Sequence, residues 1–171
     1  MATIAKINGI PVANLSRIMG IPVASLSKCM GLDMPVAGNE NLYAGGSFTT
    51  AGGNSANRIA KWDGSAWSAL GSGLGGTCLA LTFDSSGNLY AGGYFTTNVA
   101  KWNGSAWSAL GSGLGGTCLA LTFDSSGNLY AGGSFTTAGG NSANRIAKWD
   151  GSAWSALDSG LGNACRALAI G

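Results

Sequence analysis

The sequence contains no histidine, and charged residues make up only 9% of it, against roughly 25% in an ordinary soluble domain. Without histidine, neither a Ser-His-Asp nor a Cys-His nucleophile system can form within the chain. The four cysteines, Cys29, Cys78, Cys118 and Cys165, form no CxxC pair. Zinc therefore has no donor set, and no metal or other cofactor is expected. No stretch approaches the ~18 apolar residues of a membrane span. No basic run occurs, and the net charge is +2, so the phosphate neutralisation behind nucleic-acid binding has little to draw on. The opening Ala2 to Gly9 lacks a continuous apolar run of signal-peptide length, which predicts synthesis in a cytoplasm without a signal peptide.

What is present is repetition. Asn41-Leu42-Tyr43-Ala44-Gly45-Gly46 recurs at Asn88 to Gly93 and at Asn128 to Gly133, giving units 41–87, 88–127 and 128–171. Periods of this size point to solenoids, propellers or arrays. The middle unit lacks a seven-residue stretch that the first carries at Ala51 to Asn57 and the third at Ala138 to Asn144. An insertion that comes and goes reads as a surface loop.

Each unit reads as four short strands. In the middle one they are Cys78 to Phe83, Asn88 to Gly93, Val99 to Trp102 and Ser105 to Leu110, with a turn at Asp84-Ser85-Ser86-Gly87. Asp63-Gly64, Asn103-Gly104 and Asp150-Gly151 are two-residue hairpin signals. Such a turn sets Trp62 opposite Ser65 and Ala60 opposite Trp67, so that Trp62 and Trp67 become diagonal neighbours on one face. Trp102 with Trp107, and Trp149 with Trp154, follow suit. These six are candidate sugar-stacking residues, weighed against plain packing between repeats, where an aromatic ring buries about 150–250 Å². Lys61, Lys101 and Lys148 precede the tryptophans and are expected to snorkel at an edge. Asp63, Asp84, Asp124 and Asp150 fall in turns, where aspartate caps backbone amides. A pair of carboxylates for acid–base work would have to come from turns of different repeats, and the chain is expected not to be an enzyme. Equivalent cysteines in successive units should lie too far apart for a disulfide and read as small buried side chains. The pairing state of Cys29 stays open.

Tyr43, Gly45 and Gly46, a loop, a strand ending in Asp-Gly, then Trp67 and Leu70 resemble a Kelch-type β-propeller blade. The resemblance implies an all-β fold of three four-stranded blades over 35–171 and says almost nothing about ligand. Residues 1–34 carry a different repeat, in which Ile10-Pro11-Val12 returns as Ile21-Pro22-Val23. Proline at a first helical position and glycine past the end fit two very short helices, although Ile-Pro-Val also reads as extended. This repeat resembles the N-terminal attachment segments of phage virion and tail-fibre proteins, which implies docking to a larger assembly.

The first unit starts at its second strand, and Cys165 to Ile170 align with a first strand that has no blade after it. Propellers hold about 4–8 blades, so three cannot close a ring. The expectation is a homo-oligomer, best a six-bladed dimer, in which Cys165, Leu168 and Ile170 of one chain complete the blade carrying Leu42 and Tyr43 of another. A single-chain β-trefoil is the rival fold. The leading functional expectation is a structural virion or phage-like surface component; the alternative is a lectin-like propeller binding surface glycans.

Overall fold

A computed structural model describes residues 6–7, 10–11 and 41–171, in two compact units, Met1–Glu40 and Asn41–Gly171. In the first unit β1 (Lys6–Ile7) pairs antiparallel with β2 (Ile10–Pro11). Pro11 thus opens no helix; it lies opposite Lys6 in a two-stranded ladder, where a residue without an N–H is tolerated at an edge. The second expected helix, at Pro22, and Cys29 lie outside the described residues.

The second unit is all β. Blade 1 comprises β3 (Leu42–Gly45), β6 (Ile59–Trp62) and β7 (Trp67–Ala69), with a small hairpin of β4 (Thr50–Ala51) and β5 (Asn54–Ser55). Blade 2 comprises β8 (Thr77–Phe83), β9 (Leu89–Tyr94), β10 (Val99–Trp102) and β11 (Trp107–Ala109). Blade 3 comprises β12 (Cys118–Phe123), β13 (Leu129–Gly133), β16 (Ile146–Trp149) and β17 (Trp154–Ala156), with the hairpin β14 (Thr137–Ala138) and β15 (Asn141–Ser142). Every pairing is antiparallel, and within each blade the strands pair in chain order as in a propeller blade, with the small hairpins inserted between β3 and β6 and between β13 and β16. Three separate blade sheets and two small hairpins stand in place of the single closed barrel that a trefoil requires. Blade 1 has three strands, because β3 finds no partner on its inner edge among the described residues. No helix of the described residues is long and apolar enough to cross a membrane.

The register at the tryptophans departs from the expected two-residue turn. Trp62 lies directly opposite Trp67, and Ala60 opposite Ala69; the other two blades repeat this. The Asp63 carboxylate accepts from the backbone N–H of Ser65 at 2.9 Å and of Ala66 at 2.8 Å, while Asp63 N–H donates to Ala66 O. This capping stretches the loop to Asp63–Ala66 and shifts the pairing. The inserted segments are likewise more than loops. Gly52 and Gly53, with φ of 57° and 82°, make the tight turn of β4 and β5, as only glycine does without strain. The insertion also buries Ala56 and, in blade 3, Ala143.

Candidate functional site

The blades are joined by apolar faces, and the same side chains recur at each joint. On the face turned toward the preceding blade, blade 2 presents Leu89, Ala91 and Phe95 with Trp102 and Trp107, packed with Ile59, Leu70 and Leu74 of blade 1. Blade 3 repeats this with Leu129, Ala131, Phe135 and Trp154 against Val99, Leu110 and Leu114 of blade 2. The tryptophans add a directional bond. Trp107 Nε1–H donates to Leu70 O at 3.0 Å, and Trp154 Nε1–H to Leu110 O at 2.9 Å. Within each pair the indole rings sit 5.4–5.6 Å apart.

A second set of contacts lies near the inner strands. Cys78, Cys118 and Cys165 each sit over a glycine of the blade before: a Cβ on Gly45, Gly92 or Gly132 would come within 2.5, 2.6 or 2.7 Å of the respective Sγ. These three thiols are free, with Cys78 and Cys118 buried. Burial pushes the Cys78 thiol up to about 11 and that of Cys118 up to about 12. Phe83 meets Tyr43 edge-on at 5.1 Å, and Phe123 meets Tyr90 at 5.0 Å. Sequence reading missed the glycine–cysteine match, although both residues recur in step and that shared period was the available signal.

Among the described residues, the same faces stand open at the two ends of the blade unit. Leu42 is 58% exposed, whereas its counterparts Leu89 and Leu129 are 1% and 0% exposed. Leu161 is 42% exposed, against 7% for Leu74 and 4% for Leu114. A groove of about 330 Å³ lined by Ala44, Phe48, Thr50, Ala51 and Trp67 lies on the open face of blade 1. Each large aliphatic side chain left wet forgoes about 1.5–3 kcal/mol of burial, appreciable beside a stability of ~5–15 kcal/mol. The expected assembly residues fall at these ends. Leu42 and Tyr43 lie on β3, beside its unpaired edge; Cys165, Leu168 and Ile170 lie in a segment outside any strand, Ile170 being 51% exposed. The Cys165 N–H still donates to Gly133 O at 3.0 Å, as Cys78 N–H does to Gly46 O at 3.1 Å, so the segment is seated on blade 3 like an inner strand awaiting its sheet.

The polar groups are committed to turns. Asp84 accepts from the Ser86 and Asn88 backbone, from Asn88 Nδ2 and from Tyr90 Oη, and Asp124 does the same in blade 3. Partial burial opposes ionisation of Asp84, but the Asn88 donors outweigh it and hold its carboxyl below the usual range. Lys101 does not snorkel freely: its Nζ lies 3.6 Å from Asp84 and 5.3 Å from the centre of the Tyr90 ring. Among the described residues no three His, Cys, Asp or Glu side chains gather as metal ligands would.

Residues 125–148 match the model of a family described as a domain of unknown function (DUF5122) beta-propeller. The matched stretch runs from the turn after β12 through β13 and the small hairpin into β16, the middle of blade 3. Sheet architecture and family match thus agree on propeller-like repeats. No curated protein and no solved structure matches the chain.

Proposed function

We propose that this chain is a non-enzymatic structural component of a virion or phage-like surface assembly, docked to it through residues 1–34 and built around Kelch-type blades. The observation that carries this reading is the pair of apolar faces at the two ends of the blade unit that no described residue covers, a surface suited to assembly. The commitment of Asp63, Asp84, Asp124 and Asp150 to turn capping supports it, since none is left to serve as an acid or base. Deleting residues 1–34 tests the docking: the truncated chain should fold and fail to join the parent particle. Incorporation of the truncated chain at the full-length level overturns it.

A lectin-like role is favoured by one specific observation, the open groove beside Trp67. Trp107 and Trp154 are wedged between blades with their indole N–H groups occupied, which leaves Trp62 and Trp67 as the pair with an open face. Glycan-array binding that is lost on Trp67→Ala, with the fold intact, selects this role over the structural one.

A further inference from the structure

We propose that the two open ends cover each other: blade 3 and the Cys165 to Ile170 segment of one chain dock on blade 1 of a second copy, and two chains close a ring. This rests on the structural reading above and supplies the partner it leaves unnamed. Two copies of the three described blades give a total within the roughly 4–8 blades of propeller rings.

The first argument is identity of surfaces. Residues 41–70 and 128–157 have the same sequence. The face that blade 1 leaves open is therefore, residue for residue, the face by which blade 3 docks on blade 2. The receiving side is matched too: Leu157-Asp158-Ser159-Gly160-Leu161 stands where blade 2 has Leu110-Gly111-Ser112-Gly113-Leu114. The joint between copies should thus copy the joint between blades 2 and 3, in which Gly139 N–H also donates to Gly113 O at 2.8 Å. Its counterparts are Gly52 on one chain and Gly160 on the other.

The second argument is an unused donor. Trp154 Nε1–H reaches Leu110 O, while Trp67 has no equivalent acceptor among the described residues. Leu157 O of the second copy occupies that role. The third is a strand slot. A groove of about 180 Å³ lined by Gly45 and Cys78 to Leu81 lies between β3 and β8. Carrying over the β8–β9 register sets Cys165 opposite Gly46, Leu168 opposite Ala44 and Ile170 opposite Leu42 of the other copy. This is strand addition to an exposed edge, and in a pair of copies related by a twofold axis the same end-to-end joint is made twice.

One residue works against the joint. Asp158 stands in the place of Gly111 at φ 49°, where a Cβ on Gly111 would lie 3.4 Å from Trp149. That Cβ distance is ordinary van der Waals contact; it is the carboxylate, brought without a partner against the apolar ring of Trp62 of the second copy, that makes this joint weaker than its internal model.

Sedimentation of the full chain at micromolar concentration should show a discrete dimer. Leu42→Glu should give a folded monomer, since Leu42 is already exposed within one chain, and Asp158→Gly should tighten the dimer several-fold. Ala44→Cys chains mixed with Leu168→Cys chains and oxidised should yield an intermolecular disulfide between those two positions, mapped by peptide mass spectrometry; neither variant alone should. A folded wild-type monomer overturns the proposal, whether blade 1 is then covered by residues 12–40 or by nothing. So does self-association in which the mixed link never forms, and an open ladder of linked masses overturns the closed ring. A linked dimer that joins no particle overturns the structural reading and leaves the dimer standing; a monomer that joins one does the reverse.

Discussion

Cys118 shows how tightly the joints are drawn. Its Sγ occupies the space above Gly92 where any side chain would begin, so the two positions form one packing unit across a blade boundary. Gly92→Ala forces the Cβ into sulfur and should destabilise the fold by about 1–3 kcal/mol, as overpacking does. Adding Cys118→Ala removes the Sγ and should recover part of that loss. Chemical denaturation of the two single variants and the double variant measures this coupling. Fully additive losses would show that the contact is looser than drawn. Its high thiol pKa, a result of burial, also makes Cys118 a poor nucleophile, consistent with a packing role.

At the scale of the hairpin, three homologous turns provide their own control. The Ala66 N–H, then the Ser65 hydroxyl and N–H, hold the Asp63 carboxyl down from 3.8 to about 2. Asp150 is lowered to about 2 in the same way by Ala153 and Ser152. In blade 2 the neutral Asn103 makes the same bonds, to Ser105 N at 3.0 Å and Ala106 N at 2.9 Å. A carboxyl whose folded pKa is depressed stabilises the fold above its unfolded value, and that contribution fades as pH falls toward the folded one. The unfolding temperature should therefore hold down to about pH 3.8 and decline from there to about 2. Asp63→Asn with Asp150→Asn should make the decline shallower without losing the turns; an unchanged profile would assign it to other carboxylates. These turns also mark the limit of what could be read in advance. Val99 to Trp102 and the Asp84 to Gly87 turn were legible because short-range propensity and turn chemistry place them. The tryptophan register was not, because Asp-Gly signals a two-residue turn and only the captured amides of Ser65 and Ala66 lengthen it. The surroundings of the indoles were hidden for a different reason: their acceptors, Leu70 and Leu110, lie in another blade.

Taken whole, the molecule builds its joints from Leu, Ala, Phe, Trp and Cys with few ions; Lys101 with Asp84 is the ion pair found among the described residues, and it lies within a blade. Contacts of that composition have a thermodynamic signature. Apolar burial is driven near room temperature by the entropy of released water and carries a negative heat-capacity change. Association of the blade ends should accordingly be nearly indifferent to added sodium chloride, since screening has no charge pairs to act on. It should weaken on cooling. Isothermal dilution calorimetry at several temperatures would read both, and a strong salt dependence would mean that charges hold the ends instead. On the proposed pairing, the open face around Leu42 makes the chain a cold-labile building block, expected to assemble in the warm and loosen toward freezing.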